Sequence, residues 1–241
     1  MATVARRQRE KIAREKLILD TARRMLAESG YLGLNMDRLA ETIEYSKGTV
    51  YQHFSSKEDL IAALCNDTAL ARAEMFRQAA AYDGRTRERI LAIGVADAIF
   101  IRRFPDHFAV ESILDLRSIA DKISQERRDA WTHTKSAMMD VLTGIVRDAI
   151  ETGDLDLPPE LPLCAPLYGL WTQSIGHYRI ASTEPMPPFE GIDLHPVLWR
   201  NYNAMLDGYG WRPLAAEWDY RASAARICEA VFDERLPEGL A

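Results

Sequence analysis

The sequence predicts an all-α fold, and three observations carry that prediction. Apolar residues recur with the 3.6-residue period of amphipathic helices throughout the chain. No set of alternating apolar and polar runs with Asn-Gly or Asp-Gly turns indicates β-hairpins. Of the 241 residues, 47% are hydrophobic and 27% charged, which is typical of a globular protein with a core. We therefore expect helices that bury one face each.

A membrane or secreted protein is not expected. No apolar run approaches the roughly 18 residues that span a bilayer. Residues 1–16 are charged where a signal peptide would become apolar. The sequence therefore predicts a cytoplasmic protein without a membrane partner.

Helix boundaries in the first third of the chain follow from capping residues. An apolar i, i+4, i+7, i+8 pattern begins at Ile18, and the glycines of "ESGYLG" end that helix. Asn35 is a favourable N-cap for a short helix over 36–43, and Ser46 for a helix that ends near Phe54. Either serine of "SSKEDL" can cap a fourth helix over 57–81. The first third of the chain is therefore predicted to contain three short helices followed by a longer one.

Longer helices are expected in the rest of the chain, because proline and glycine separate extended periodic segments. The predicted spans are 86–103, 105–121, 124–152, 163–182, 195–207 and 219–236. The sequence therefore reads as a small helical head followed by a helical body.

Charge is distributed unevenly between these parts. The chain has a formal net charge of −6, yet residues 1–24 contain 8 Lys+Arg against 3 Asp+Glu. A basic head on an acidic body is expected when only the head meets a polyanion. The basic run in residues 6–16 has two interpretations, a solvated tail or an arm that adds phosphate contacts. The sequence leaves both open.

The two short helices, joined by a tight turn at Glu44-Tyr45-Ser46, have the proportions of a helix-turn-helix, in which the second helix enters the major groove of DNA. The second of them begins the segment "SKGTVYQHFSSKEDL", residues 46–60. Gly48 has no side chain and allows close approach. Lys47 and Thr49 carry groups that reach base edges. Val50 and Phe54, spaced i, i+4, mark the row that faces the core. We therefore interpret this helix as the one that reads DNA.

Phosphate contacts are expected from polar residues beside the reading positions. Tyr51 and His53 fall to one side of the helix, away from its apolar row. Lys57 lies at the start of the fourth helix, whose free N–H groups attract anions. These residues are predicted to hold the backbone while the helix reads bases.

Residues 18–60 resemble the DNA-binding head of the TetR family of bacterial transcriptional regulators, and the motif at 46–60 matches the family pattern nearly position for position. One departure is Ile43-Glu44-Tyr45, where the family commonly has Ala-Gly-Val. The resemblance implies DNA-binding roles for eight residues: Asn35, Ser46, Lys47, Gly48, Thr49, Tyr51, His53 and Lys57.

The resemblance also implies the organisation of the whole chain. Residues 1–60 would form a basic arm and a three-helix DNA-binding domain, and residues 61–241 a helical-bundle domain for ligand binding and dimerisation. The implied function is a repressor that binds a near-palindromic double-stranded DNA operator as a homodimer, since two heads one helical turn apart match such a site. Helix 163–182 and one of the last two helices would form the dimer interface.

A small, mostly apolar inducer is implied as the signal. It would favour the conformation that binds DNA poorly, with the fourth helix as the lever. The residues expected to line its pocket are large and adaptable, although ordinary core packing explains such residues equally well. They are Phe100, Phe104, Phe108, Trp131, Met138, Tyr168, Trp171 and His177.

Catalytic and metal-binding motifs are missing from the sequence. It contains no GxxxxGK[ST], HExxH or GxSxG pattern. Cys65, Cys164 and Cys228 are far apart and lack the paired spacing of a zinc or redox site. The sequence therefore predicts no enzyme activity, no cofactor and no metal.

Overall fold

The computed structural model describes residues 2–107, 122–181 and 190–236, with side chains from residue 5, and within these ranges it contains helices and no strand. The all-α prediction is confirmed. The helices are α1 Ala2–Gly33, α2 Met36–Thr42, α3 Lys47–His53, α4 Lys57–Ala80, α5 Thr86–Arg103, α6 Gln125–Glu151, α7 Ala165–Ala181, α8 His195–Gly208 and α9 Tyr220–Phe232.

Contacts divide the chain into two compact units. Unit 1 consists of residues up to 71 together with the described parts of 101–135. Unit 2 consists of residues 72–100 together with the described parts of 136–241. The predicted functional boundary at residue 60 stays a prediction. The predicted helix 105–121 begins as a helix at 105–107, and its remainder lies outside the described residues.

The first helix is longer than the sequence pattern indicated. It begins at Ala2, although its buried apolar face starts at Ile18. The exposed stretch before Ile18 is rich in good helix formers, and Arg6 pairs with Glu10 one turn later at 2.7 Å. Gly30, with φ 65°, interrupts the helix at the predicted glycine. The basic arm is therefore a helical extension of α1.

The core of unit 1 joins the first four helices. Ile18, Leu39, Val50 and Leu64 are completely buried within one apolar cluster, against which the half-buried Trp131 packs. Each such side chain contributes about 1.5–3 kcal/mol when fully buried. This cluster fixes α3 by its inner row and leaves its outer face in solvent.

In unit 2, α5, α7 and α8 approach closely. A Cβ at Gly94 of α5 would lie 3.0 Å from the ring of Trp199 on α8, and one at Gly169 of α7 would overlap the sulfur of Met205. Glycine at these positions therefore allows the neighbouring large side chains to fill the space between helices.

A buried arginine anchors the turn after α8. The Arg87 side chain is 1% exposed and donates to the carbonyl oxygens of Trp211 (2.5 Å) and Asn203 (3.2 Å) and to Asp207 Oδ1 (2.9 Å). Burial lowers the pKa of Arg87, while the hydrogen bond to Asp207 opposes that shift. The segment "GYGWRP", residues 208–213, lies between the predicted helices 195–207 and 219–236 and is thus held to the start of α5. We call this group of four residues the Arg87 anchor.

Candidate nucleic-acid interface

The turn between α2 and α3 is built by backbone hydrogen bonds. Tyr45 N donates to Ala40 O at 3.0 Å and Glu44 N to Glu41 O at 3.1 Å, the pattern of a Schellman cap. Glu44 has φ 57°, the left-handed conformation that usually favours glycine. The chain therefore keeps the turn geometry at the position where Glu44 departs from the family pattern.

Polar side chains cap both short helices, as the sequence predicted. Asn35 Oδ1 accepts from Asp37 N (2.8 Å) and Arg38 N (3.2 Å) at the start of α2. Ser46 Oγ accepts from Thr49 N at 3.1 Å at the start of α3 and lies 2.8 Å from Thr49 Oγ1. The Ser46 contacts orient the first turn of α3, which includes the predicted reading positions.

Lys47 is exposed but has a partner. Its Nζ donates to Asp37 Oδ2 at 2.6 Å, and this hydrogen bond raises the pKa of Lys47 above its ordinary value. Both side chains are about half exposed. The lysine therefore lies across the surface in the free protein, where solvent screening keeps such a pair weak.

Gly48 and Tyr51 present the outer side of α3. Among the residues that the structure describes, a Cβ at Gly48 would meet nothing closer than Ser46 Oγ at 3.8 Å, which is ordinary contact. Packing within the chain therefore does not require glycine there, although glycine costs about 1 kcal/mol relative to alanine in a helix. Tyr51 is 47% exposed. We call Lys47, Gly48, Thr49 and Tyr51 the α3 surface.

His53 does not lie on that surface. Its side chain is only 4% exposed and its Nδ1 lies 3.9 Å from Glu15 Oε2. Burial lowers the pKa of His53. Glu15 is also 3.2 Å from Arg127, whose guanidinium lies over the Phe54 ring at 5.1 Å. The ring of His53, which the sequence predicted to contact a phosphate, therefore faces inward in this structure.

Lys57 lies at the start of α4 and is engaged by the end of α1. Its Nζ donates to Tyr31 O and lies 4.0 Å from the centre of the Tyr31 ring. Burial lowers the pKa of Lys57. Of the two serines proposed as caps, Ser56 caps α4 by accepting from Asp59 N at 3.0 Å.

The sequence did not indicate three residues that position side chains in and beside the α3 surface. Asp37 holds Lys47, Tyr31 holds Lys57, and Arg14 lies over the Tyr45 ring at 5.4 Å. An acid in the first turn of a helix already has an explanation in the helix dipole, so Asp37 gave no separate signal. Tyr31 and Arg14 lie on α1, far in sequence from Lys57 and Tyr45, which they contact.

The described members of the predicted ligand-lining set are divided between the two units. Phe104 and Trp131 belong to unit 1, the other described ones to unit 2, and Phe108 lies outside the described residues. Tyr168 and Trp171 are 65% and 57% exposed on the outer face of α7, so they do not line the interior. The remaining three are Phe100, which is fully buried, and Met138 and His177, which are half-buried.

The described part of the chain contains neither a metal-binding cluster of side chains nor a helix that could span a membrane. No group of three or more His, Cys, Asp or Glu in residues 2–107, 122–181 and 190–236 could hold a metal ion. Within the same ranges, no helix combines the length and apolar character needed to cross a membrane.

Comparison with known proteins places residues 18–64 in the family described as bacterial regulatory proteins, tetR family. The HTH-type transcriptional repressor AcnR of Corynebacterium diphtheriae is 45% identical over 62 residues, which cover 26% of this chain and 33% of that protein. The matched segment thus spans about a third of that relative.

Two further similarities extend over more of the chain. The repressor NemR of Escherichia coli K12 is 25% identical over 174 residues, 70% of this chain and 86% of that protein. The crystal structure of a tetR-family regulatory protein from Rhodococcus RHA1 matches with a TM-score of 0.61 and 17% identity, covering 82% of this chain and 97% of that one. Residues 18–64 therefore match the tetR family of bacterial regulatory proteins, and the chain shares the fold of a solved member of that family.

Proposed function

We propose that this chain is a transcriptional repressor that binds a near-palindromic operator as a homodimer and is released by a small molecule. The observation that carries the proposal is the α3 surface, where an exposed lysine, an exposed phenol and a half-buried threonine hydroxyl surround a glycine that packing among the described residues does not require. A helix placed in the major groove needs such a close approach. The names of AcnR and NemR, both repressors, favour repression.

DNA binding is tested by gel shift with the DNA upstream of the chain's own gene, measured over a range of salt concentrations. We expect Thr49→Ala and Lys47→Ala to change the preference between sequences, because both side chains lie at reading positions. Lys57→Ala is expected to weaken binding to all sequences and to reduce the salt slope by about 1. Equal effects of all three on specific and random DNA would contradict these roles.

Dimerisation is supported by the outer face of α7. Tyr168, Trp171 and Ile175 are 65%, 57% and 45% exposed, and their i, i+3, i+7 spacing places them on one side of the helix. An exposed apolar face of this kind marks an interaction surface. In the proposed dimer this face meets its copy in the second subunit, together with one of the last two helices.

Analytical ultracentrifugation at micromolar concentration tests the dimer. Trp171→Glu is expected to shift the protein towards monomer, because it places a charge in the middle of the face. Ile150→Glu, at a side chain that is 40% exposed on α6, is the matched control and is expected to leave the dimer intact. A parent protein that sediments as a monomer would refute the homodimer.

The inducer is proposed to bind in unit 2. Within the described ranges, three buried polar atoms on α7 and α8 lack a hydrogen-bond partner: Gln173 Oε1, His177 Nε2 and Trp199 Nε1. Leaving such an atom unpaired costs about 1–3 kcal/mol, which a ligand with complementary groups recovers. A mostly apolar molecule with one or two polar groups fits these surroundings.

Native mass spectrometry of the purified protein, followed by gel shift with the molecule it identifies, tests the inducer. We expect the molecule to weaken operator binding, and His177→Phe to reduce that response while leaving operator affinity without inducer unchanged. A molecule that binds unit 2 without altering operator affinity would refute the coupling.

A further inference from the structure

A line of basic side chains runs along the helical extension of α1. We call it the basic stripe, formed by Arg7, Lys11 and Arg14. Their spacing of four and three residues, at about 100° per residue, places them within about 60° of one another around the helix. Arg7 and Lys11 are exposed, and Arg14 is half-buried. The stripe is therefore a single positively charged face.

The stripe lies on the side of α1 that meets α3 and the turn before it. The Arg14 guanidinium is 5.4 Å from the centre of the Tyr45 ring, one residue before the N-cap of α3. Burial is the main cause of the lowered pKa of His53, and the positive charges of Arg14 and Lys11 add to it. Both cations therefore lie near the C-terminal end of α3, and Arg7 lies one turn beyond them.

The positive charge of the stripe is not neutralised by its neighbours. Glu10 lies beside it on the helix but pairs with Arg6 at 2.7 Å. Glu15, the next acid, lies 3.2 Å from Arg127. Among the residues that the structure describes, Arg7 and Lys11 have no hydrogen-bond or ion-pair partner. Ion pairs within the described chain therefore do not explain why Arg7 and Lys11 are positively charged residues.

We propose that the basic stripe binds phosphates of the double-stranded DNA that flanks the bases read by α3. The inference rests on the proposed DNA-binding function and extends its surface beyond the helix-turn-helix. The charge is complementary to the DNA backbone, and the stripe is continuous with the α3 surface through Tyr45. The rise of about 10 Å from Arg14 to Arg7 equals about three base-pair steps of duplex. The stripe lengthens the contact without reading sequence.

The test compares two double variants by gel shift over a range of salt concentrations, on operator DNA with flanks and on random DNA. Arg7→Ala/Lys11→Ala removes two charges from the stripe. The matched control, Arg9→Ala/Lys16→Ala, removes two charges from exposed positions on the opposite side of the same helix. All four positions are exposed and alanine favours helix, so circular dichroism is expected to show unchanged folding.

We expect the stripe variant to bind both DNAs more weakly and to reduce the salt slope by about 1.8, or about 0.9 for each lost phosphate contact. Between roughly 50 and 200 mM salt, that change alters the ratio of affinities about twelvefold. The control variant is expected to keep nearly the slope of the parent. Operator trimmed of its flanks is expected to remove the difference between the variants.

Two results overturn the proposal, and they differ in what else they overturn. If the parent binds operator but both double variants lose the same slope, overall charge explains the effect and only the role of the stripe is refuted. If the parent binds no DNA under any condition, the proposed function itself fails.

Discussion

The α3 surface of unit 1 and the Arg87 anchor of unit 2 use polar side chains in opposite ways. On the α3 surface, Lys47 and Thr49 are accessible and pair with residues on the same or the preceding short helix. In the anchor, Arg87 is buried and its partners follow it by 116 to 124 residues. The first arrangement leaves groups available to an external partner, whereas the second uses them within the chain. Substitutions in the two regions are expected to change different measurements.

The largest effect is expected at the anchor. Arg87→Met removes the guanidinium donor from two carbonyl oxygens and from the Asp207 carboxylate, which keeps the N–H of Ala215 at 3.0 Å. Breaking a buried ion pair from one side costs about 3–5 kcal/mol. Because Asp207 is 30% exposed and can regain water, we expect the lower end of that range. Urea unfolding measures the loss. The control Arg77→Met removes an exposed pair with Glu74 and is expected to change stability by less than about 1 kcal/mol. Similar losses in both would show that burial of Arg87 is unimportant.

These two regions also show how far the sequence could predict the structure. The caps Asn35 and Ser46 were predictable, because a cap depends on residues within one turn of the helix. The anchor was not predictable from residue patterns, since its partners come from α8 and the turn that follows it. His53 shows the same limit in unit 1: its helical position indicated an exposed side, but Glu15 and Arg127 come from other helices and enclose it. Local sequence patterns therefore predict the helix-turn-helix. Contacts between residues distant in sequence determine which of its side chains are accessible.

The second-largest effect is expected at Gly48, where stability and DNA affinity are predicted to change in opposite directions. Gly48→Ala fits the free protein, because, beyond the adjacent residues and the helix backbone, Ser46 Oγ at 3.8 Å is the only described atom within 4 Å of the added methyl group. The substitution is expected to raise stability by up to about 1 kcal/mol. A methyl group pressed into a close interface costs about 1–3 kcal/mol, so operator affinity is expected to fall roughly 5- to 150-fold. Urea unfolding and gel shift on the same sample measure both. Unchanged operator affinity would mean that DNA does not approach this turn closely.

A smaller effect is expected at Glu44, whose φ of 57° is strained for a side chain with a Cβ. That conformation costs about 1–2 kcal/mol, and the flexibility of glycine in the unfolded chain offsets part of the gain. Glu44→Gly is therefore expected to raise the free energy of unfolding by roughly 0.5–1 kcal/mol. The same replacement three residues earlier, Glu41→Gly, falls inside α2 and is expected to lower it by about 1 kcal/mol. Opposite signs for the two variants are the result to look for, and equal signs would exclude relief of backbone strain as the cause.

The smallest effect is expected from the pair that restrains the α3 surface. Asp37→Asn removes the carboxylate that holds Lys47 and also removes a negative charge from the side proposed to face DNA. An exposed pair contributes up to about 1 kcal/mol, so operator binding is expected to tighten by no more than about fivefold. A double-mutant cycle with Lys47→Met separates the two causes. If release of Lys47 is responsible, Asp37→Asn gains nothing in the Lys47→Met background. If the lost repulsion is responsible, the gain persists there, and Lys47 would then reach DNA without first being freed from Asp37.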